Sequence, residues 1–520
     1  MSLLRVTLKV EIKEERSNLL FFFTYFHVGG NKVKKIVEIY RTHYEVHNYK
    51  IGDNEKLEHF LSTWDFKSYK YVPYYQYDKD SQTLYLSKGI NFPLLKENFK
   101  DADFIHMKSE NKISEAIFNM NYTPKNANQL KSIQFLISEG KFYGNKNETQ
   151  FALILPTNSG KTFCAVSAIH ELKCKALIVV HNKDIRDQWV ERILEYTDIT
   201  QDEICIFTSS AIIDKVAKNS DKYKIFIVTH SLTTSYMKGK GDKKLNDVMS
   251  KIGIGIKIID ECHKCFTNII RLDNALDIRY NFYLTATFGR TPDDLNKVYQ
   301  RVFHDVCKFK LDNQDFNRDK NVIYRGVLFN THPQWVDINR MFTVLAYDKD
   351  KKPIKTFNVF KYIQYQLKKK LLERLVVNEV GYMMNKLSDG SKIAIISPLK
   401  ESCKYFANKV KSKFPELNVA VHTSDGKVED ISEYDVICAT AAMIGTGNDI
   451  EDLRGLINTT PLNSKINIKQ LVGRLGRGDD KNICIFSDIV DKKVPSAYKM
   501  YINRTTTMKP EILKLEEINA

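Results

Sequence analysis

The sequence is poor in cysteine and has no long apolar run, and each shortage excludes a class of protein. Its nine cysteines are an odd number scattered over 520 residues, so a disulfide framework is not indicated and reduced thiols are expected. The most apolar early run, Leu19 to Val28, is too short to cross a bilayer. No cleavable signal segment opens the chain. We therefore expect a cytoplasmic protein without a membrane partner.

A zinc-type ligand set and internal repeats are also missing. Cys262 and Cys265 form a CxxC around His263, but we find no second ligand pair at a suitable spacing. No repeat or low-complexity tract interrupts the chain. A chain of 520 residues is too long for one ordinary core, so two or three domains are expected.

Charge is unevenly distributed along the chain. The formal net charge is +16, but residues 1–114 carry only +3 of it. The remaining excess, in residues 115–520, suits binding to a phosphate backbone, because neutralised phosphates release their counterions. A solvated basic surface explains the same numbers, and charge alone does not separate the two interpretations.

Composition divides the chain into segments. Residues 1–114 hold ten Tyr, nine Phe and Trp64, and short alternating runs predict a small α+β domain. Its aromatics are either core or, less often, a base-stacking surface. From residue 115 the pattern changes to short apolar runs typical of strands buried on both faces, with helices between them. The runs are Phe151–Leu155, Ala176–Val180, Ile204–Phe207, Ile225–Val228, Ile256–Ile259 and Phe282–Leu284.

A second βα series follows a polar segment. We predict a linker at 311–321, a first parallel-sheet lobe at 115–310, and a second lobe at 322–520 with a C-terminal helical tail. Within the second lobe we expect a long helix over Phe360–Asn385 and a surface loop at Asp348–Thr356. Its strands are predicted at Val322–Phe329, Ile393–Ile396, Val419–Val421, Val436–Cys438, Leu456–Ile457 and Ile483–Phe486.

The strongest chemical motif is a strand, a tight loop and then Gly160-Lys161-Thr162 at the start of a helix. Backbone N–H groups at a helix N-terminus can surround phosphate oxygens. Lys161 would neutralise the β- and γ-phosphates of ATP, and Thr162 would hold Mg²⁺. A strict P-loop has Gly where this chain has Leu155, and Asn158 tolerates the positive φ that such a loop needs. The predicted phosphate-binding residues are Pro156, Thr157, Asn158, Ser159, Gly160, Lys161 and Thr162.

Two further motifs complete a nucleotide site. Asp260 and Glu261 follow a buried strand, at the end where ligands collect in an open α/β sheet. Asp260 would bind Mg²⁺ and Glu261 would orient the attacking water. Far downstream, the pattern QxxGRxxR contains Gln470, Arg474 and Arg477. Two arginines three apart share a helix face, and their guanidiniums could stabilise charge on a transferring phosphate.

These three segments, in this order, resemble motifs I, II and VI of superfamily 2 helicases. The resemblance covers about residues 115–490, and it implies two RecA-like lobes in tandem, ATP and Mg²⁺ as cofactors and nucleic acid as partner. It also implies adenine reading by Gln129 and contacts from Gly447 and Asp449 in motif V. Coupling residues would be His263, Thr285 and Thr287, and nucleic-acid contacts would come from His181, Gln188, Thr229, His230, Ser397 and Thr440.

Within the superfamily, the DECH and QLVGRLGR segments look closest to the phage UvsW-type helicases and the helicases of large DNA viruses. That likeness implies a monomeric motor that remodels duplex or branched DNA in the host cytoplasm, with residues 1–114 as an accessory DNA-binding domain. An RNA helicase or viral transcript-release ATPase is the first alternative. A restriction translocase and a non-catalytic nucleic-acid scaffold with a degenerate ATP site are the others.

Overall fold

The structure is a computed structural model that describes residues 34–520 except 66–69, 110, 139–148, 157–158, 290–292, 312–320, 332–340, 348–352, 424–432, 446–449, 451, 463–464 and 476–481. Phe21–Phe26 and most of the predicted linker therefore lie outside the described residues. The N-terminal part begins with a mixed sheet in the order β5-β6-β2-β1-β7. Its elements are β1 (Ile36–Ile39), β2 (His43–His47), α1 (Glu55–Phe60), β3 (Ser62–Asp65), β4 (Lys70–Pro73), β5 (Gln76–Asp78), β6 (Thr83–Ser87), α2 (Phe92–Asn98) and β7 (Asp103–His106).

The aromatic side chains of the N-terminal part mostly form its core. Tyr44, Tyr49, Tyr74 and Phe99 are buried, whereas Tyr71 is 47% exposed. The alternation of strand side chains explains this, because one face of the sheet packs inward. The aromatics were expected to be either core or a base-stacking surface, and the four buried residues belong to the core.

The first lobe contains a seven-stranded sheet in which each strand pair is parallel. Its strands are short runs of Ile, Val, Leu and Phe buried on both faces, as parallel sheets require. The elements are α3 (Ala127–Ile137), β8 (Gln150–Ile154), α4 (Lys161–Leu172), β9 (Ala176–Val180), α5 (Lys183–Tyr196), β10 (Ile204–Ile206), α6 (Ser210–Val216), β11 (Ile225–Thr229), α7 (His230–Lys240), α8 (Asp242–Ile252), β12 (Ile256–Asp260), α9 (Phe266–Ala275), β13 (Tyr280–Thr285), α10 (Asp293–Val302) and β14 (Cys307–Lys310).

The second lobe contains another parallel seven-stranded sheet and a separate antiparallel hairpin. The hairpin is inserted between the first two strands of that sheet. The elements are β15 (Val322–Phe329), β16 (Thr343–Tyr347), β17 (Pro353–Phe357), α11 (Val359–Lys368), α12 (Leu371–Lys386), β18 (Lys392–Ile396), α13 (Lys400–Lys413), β19 (Val419–His422), β20 (Val436–Ala439), α14 (Ala441–Gly445), β21 (Leu453–Asn458), α15 (Lys465–Val472), β22 (Cys484–Asp491), α16 (Pro495–Met508) and β23 (Lys514–Asn519).

The two large sheets have the same topology. The first runs β10-β11-β9-β12-β13-β8-β14 and the second β19-β20-β18-β21-β22-β15-β23. Numbered within each lobe, both orders are 3-4-2-5-6-1-7. The predicted fold class, two RecA-like lobes in tandem after a smaller α+β part, is confirmed.

Each lobe has a buried polar network across its strands 1, 5 and 6. In the first lobe, Lys257 on β12 donates to Asp273 at 2.6 Å and Tyr283 on β13 donates to the same carboxylate, while Gln150 on β8 donates to the Tyr283 hydroxyl. In the second lobe the equivalent strands supply Tyr324, Asp488 and Asn458, and Arg504 pairs with Asp488. A buried charge is tolerated only when it is paired and hydrogen-bonded.

Three local predictions for the second lobe are wrong. The predicted helix over Phe360–Asn385 is two helices, because Lys370 adopts a left-handed φ of 56° and ends the first. The predicted loop at Asp348–Thr356 overlaps strand β17 from Pro353 onward. The C-terminal tail is helical only to Met508, and β23 then pairs in parallel with β15 at the sheet edge.

The N-terminal part packs against the first lobe through a shared hydrophobic core. Tyr74 stacks on Phe266 of α9, and the backbone carbonyl of Phe60 accepts a hydrogen bond from Arg301 of α10. The domain boundary at 114/115 stays a prediction, because one core crosses it. None of the helices in the described ranges is long and apolar enough for a membrane span.

Candidate nucleotide site between the lobes

The phosphate-binding loop follows β8, and its lysine is held at the mouth of the loop. The Lys161 ammonium donates to the backbone carbonyls of Leu155 and Pro156 at 3.1 and 3.0 Å. Gly160 has a φ of 85°, and a Cβ there would lie 2.4 Å from Nε2 of Gln129. Only glycine therefore fits between this loop and the predicted adenine-reading residue.

Leu155, the departure from the strict P-loop pattern, has a structural role. Its side chain is fully buried, and its N–H donates to the carbonyl of Thr285 at 3.1 Å. Leu155 therefore extends the hydrophobic core beyond the end of β8. Ser159 then folds back, and its hydroxyl donates to the Pro156 carbonyl at 2.6 Å.

Asp260 and Glu261 lie at the carboxyl end of β12, two strands from the loop. Strands β12, β13 and β8 are neighbours, and Asp260, Leu284 and Leu153 are in register across them. Parallel strands end at one edge of a sheet, so the carboxylates and the phosphate loop share that edge. Glu261 has a φ of 51°, a strained conformation for a non-glycine residue that is typical of functional sites.

The two carboxyl groups have different electrostatic surroundings. Burial raises the pKa of Asp260, and the negative charge of Glu261 acts in the same direction. Burial also favours a raised pKa for Glu261, but His263, Lys161 and Lys264 together hold the pKa of that carboxyl below its usual range. Glu261 is therefore the more firmly ionised of the pair.

His263 connects the acidic pair to the end of β13. Its Nδ1 lies 3.0 Å from the Thr285 hydroxyl oxygen and 3.1 Å from Oε2 of Glu261. The Thr285 hydroxyl donates to the carbonyl of Thr287 and accepts from its N–H. The three predicted coupling residues thus form one hydrogen-bonded chain from His263 to the segment after β13, and its histidine end lies within ion-pair distance of Glu261.

Arg474, from the second lobe, is buried close enough to Glu261 of the first lobe for their charges to interact. Burial lowers the pKa of its guanidinium, and the charge of Glu261 opposes that effect. The Arg474 charge also acts to lower the pKa of Lys264, for which burial is the larger cause. Side chains from the two lobes, Arg474 on one side and Glu261 and Lys264 on the other, are therefore close in space.

The motif around Arg474 is shorter as a helix than predicted. Helix α15 ends at Val472, and Arg474 lies in the turn that follows, with its N–H donated to the carbonyl of Leu471. Arg474 is therefore not part of the helix, and whether it shares a face with Arg477 stays a prediction because Arg477 lies outside the described residues. Gln470 lies in α15, and only its backbone is described. The predicted site residues outside the described residues are Thr157, Asn158, Gly447, Asp449 and Arg477.

The predicted nucleic-acid contacts divide into accessible and buried side chains. His181 is exposed, and Gln188, Thr229 and Thr440 are half-buried. Ser397 is fully buried with its hydroxyl 2.6 Å from that of Ser402. His230 is 3% exposed, and its ring is hydrogen-bonded to Asn268. Ser397 and His230 have no surface with which to contact a strand in this conformation, and the prediction for these two is wrong here.

Sequence reasoning passed over two residues at the site. Trp189 donates from its indole Nε1 to Oδ2 of Asp260 at 2.9 Å. Lys264 follows the DECH segment and places a third cation beside Glu261 and Arg474. Lys264 could have been predicted at the site because it directly follows the DECH segment. The Trp189 contact could not, because it depends on tertiary packing alone.

The residues present suit a divalent cation at the acidic pair. Asp260 has both oxygens held by protein donors and keeps further lone pairs for a ligand, and Thr162 opens helix α4 with its side chain half-buried. Oxygen ligands of this kind are those that Mg²⁺ prefers. In the described parts of the chain, a second compact group of Glu38, Glu45 and His47 lies on the N-terminal sheet, where it forms ion pairs.

The chain has two parallel-sheet lobes of one topology, with the predicted phosphate-loop and acidic residues on the first and Arg474 on the second. Residues 115–290 match the family model of the type III restriction enzyme res subunit. This match covers about a third of the chain, and the chain is also similar to curated helicases and a viral transcript termination protein.

Two relatives and one solved structure show the range of the similarity. The helicase/translocase subunit XPB of transcription and DNA repair factor IIH from Enterocytozoon bieneusi is 28% identical over 42% of this chain, and the match spans 36% of that protein. Transcript termination protein A18 of Yaba-like disease virus is 22% identical over 74% of this chain and 77% of its own length. The crystal structure of T4 UvsW is 14% identical, covering 94% of this chain and all of that one, with a TM-score of 0.36. The chain thus spans about a third of the XPB relative.

Proposed function

We propose that this chain is an ATP-dependent superfamily 2 DNA helicase or translocase that unwinds or remodels duplex and branched DNA in the cytoplasm. The observation that carries the proposal is that Lys161, Asp260 and Glu261 of the first lobe interact electrostatically with one another, and that the buried Arg474 of the second lobe lies close enough to Glu261 for their charges to interact. A site completed by two lobes can convert a change at one phosphate into movement of whole domains.

ATP is the proposed substrate. Lys161 binds the β- and γ-phosphates after its ammonium leaves the carbonyls of Leu155 and Pro156, and Gln129 lies beside the loop to contact the base. Thr162 and Asp260 would hold Mg²⁺, which would neutralise phosphate charge. Glu261 orients the water that attacks the γ-phosphorus, and Arg474 stabilises the charge that develops as the bond to ADP breaks.

The nucleic acid lies across both lobes. The basic excess of residues 115–520 supports contacts with the phosphate backbone, which bind without regard to sequence. His181, Gln188, Thr229 and Thr440 are accessible for that role. We propose that the chain acts as a monomer, since its own two lobes supply both sides of the crevice.

A second candidate is a transcript-release ATPase. The viral transcript termination protein matches 77% of its length to this chain, far more than the XPB relative does. Motor contacts with the backbone suit DNA or RNA, so both substrates fit the same crevice.

One experiment separates these functions. ATPase and strand-separation rates of the full chain are measured on forked DNA, four-way junctions, R-loops, single-stranded DNA and RNA. The DNA function predicts the largest stimulation and unwinding with forks, junctions or R-loops. Stimulation by RNA alone would contradict it and favour the second candidate, and no stimulation by any nucleic acid would contradict both.

A further inference from the structure

The buried indole of Trp189 donates a hydrogen bond to the carboxylate of Asp260, a residue of the candidate nucleotide site. Trp189 lies on α5 and is 2% exposed, and its Nε1 donates to Oδ2 of Asp260 at 2.9 Å. A buried indole N–H needs an acceptor, and many backbone carbonyls could serve. Here the acceptor is instead an ionisable side chain 71 residues away, at the end of β12.

This contact leaves the Asp260 carboxylate held at both oxygens. Oδ2 accepts from Trp189, and Oδ1 accepts from the backbone N–H of Glu261 at 2.9 Å. A carboxylate with both oxygens bonded cannot rotate freely about its terminal torsion. Each oxygen still has a lone pair directed away from these donors.

We propose that Trp189 is a positioning residue that fixes the Asp260 carboxylate for a divalent cation bound with the nucleotide. The proposal rests on the proposed function, since it assigns a device to the same site. Groups that orient a metal ligand through hydrogen bonds typically contribute about 10- to 100-fold to metal affinity.

Packing alone would not require this geometry. The ring of Trp189 lies in the core between α5 and the sheet with Ile185, Val190 and Ile193, and a phenylalanine would fill much of that space. The N–H is the feature that phenylalanine lacks. Trp189→Phe therefore separates the positioning role from the packing role.

The experiment titrates Mn²⁺ into the full chain with a non-hydrolysable ATP analogue and measures the half-saturating metal concentration by calorimetry. Trp189→Phe is expected to raise that concentration about tenfold, with analogue affinity at saturating Mn²⁺ changed less than about twofold. Tyr236→Phe is the matched control, because it also removes a buried aromatic donor to an aspartate, Asp214, away from the crevice. Its metal dependence should equal that of the wild type.

The outcomes distinguish the two levels of inference. Wild-type protein that binds no analogue at any metal concentration would overturn the proposed function. Wild-type protein that binds it, with an unchanged half-saturating metal concentration in Trp189→Phe, would overturn the positioning role alone.

A second measurement leaves Trp189 in place. The chain has three tryptophans, so Trp64→Phe combined with Trp335→Phe makes Trp189 the only indole. Paramagnetic Mn²⁺ bound at Asp260 should quench its fluorescence in the presence of the analogue, whereas Mg²⁺ should not. Equal emission with the two metals would contradict the proposal.

Discussion

At the scale of single residues, charged side chains surround Glu261, whose backbone conformation is strained. Glu261 has a positive φ. Its interactions with His263, Lys161 and Lys264 lower the pKa of its carboxyl group. Strain at such a position persists only when its surroundings fix it. Backbone hydrogen bonds at Glu261 contribute to that fixation, because its N–H donates to Oδ1 of Asp260 and its carbonyl accepts from the N–H of Lys264.

Lys161→Ala and Glu261→Gln should each abolish ATP hydrolysis without unfolding the protein. The lysine change removes the phosphate cation, and the glutamine change keeps the shape of residue 261 but removes its charge. We expect turnover to fall about 10²- to 10⁴-fold for Glu261→Gln, as for loss of a general base. Phosphate release measures the rate, and circular dichroism checks the fold. Near-normal turnover in either purified variant would reject the assignment.

The sequence predicted the chemistry-bearing residues better than their surroundings. Lys161, Asp260 and Glu261 were predictable because each follows a short buried strand in a recognisable order. The burial of Ser397 and the indole contact of Trp189 were not, because both depend on which helix packs over which strand end. A sequence motif predicts which residue lies at the end of a given strand or helix. It does not predict which side chains from other helices and strands surround that residue.

At the scale of secondary-structure elements, β12 is anchored inside the sheet by an ion pair. Lys257 and Asp273 are fully buried and 2.6 Å apart, and Tyr283 donates to the same carboxylate. Asp260 lies at the end of this strand, three residues beyond Lys257. The anchor therefore connects the stability of the first lobe with the placement of its acidic pair.

Lys257→Met should destabilise the first lobe strongly. It removes one partner of a buried pair and leaves the Asp273 charge uncompensated, which typically costs about 3–5 kcal/mol. Urea unfolding followed by circular dichroism measures the loss. Lys251→Met, at an exposed position of α8, is the control and should change stability by less than about 0.5 kcal/mol. Equal effects of the two changes would contradict the assigned role.

The ion pair between Glu38 of β1 and His47 of β2 should make stability depend on pH. Hydrogen bonding to Glu38 raises the pKa of His47, and hydrogen bonding to His47 lowers the pKa of Glu38. The histidine contribution is complete below its ordinary pKa of 6.5 and is lost as pH rises through its raised folded value. The glutamate contribution is complete above its ordinary pKa of 4.5 and is lost as pH falls through its lowered folded value.

Both contributions are therefore present between about pH 4.5 and 6.5, and they decline on either side. His47→Gln should reduce the melting temperature more at pH 5.5 than at pH 9. The melting temperatures of wild type and variant at the two pH values are compared by scanning calorimetry. His59→Gln, at an exposed position of α1, serves as control. A His47→Gln effect that is the same at both pH values would contradict the ion pair.

The central strands and the edge strands β10 and β19 were predictable from sequence, whereas the opposite edge strands β14 and β23 were not. Twelve apolar runs correspond to strands β8 to β13, β15 and β18 to β22 within a few residues, because burial on both faces leaves a continuous apolar signature. Edge strands β14 and β23 have exposed positions and charged residues, such as Lys310 and Lys514. Their sequences resemble those of loops or a C-terminal tail. The break between helices α11 and α12 at Lys370 was also not predictable, because no proline or glycine marks it.

At the scale of the whole molecule, two copies of one topology face each other and have unequal chemistry. The first lobe carries the predicted phosphate loop after its first strand, whereas Thr331 after the first strand of the second lobe is hydrogen-bonded to Asp491, which also accepts from Gln366. The N-terminal part shares the core of the first lobe. It should therefore move with that lobe when the crevice opens and closes.

The central claim is that one phosphate is held by a lysine of the first lobe and an arginine of the second. The direct test compares Arg474→Ala with wild type for ATP hydrolysis and for binding of a non-hydrolysable analogue, with exposed Arg192→Ala as the control. We predict that Arg474→Ala lowers turnover by about 10³-fold or more, as for other arginines that stabilise a transferring phosphoryl group, and that analogue affinity changes only a few-fold. An equal loss of binding and hydrolysis, or an Arg474→Ala rate like that of Arg192→Ala, would contradict the account.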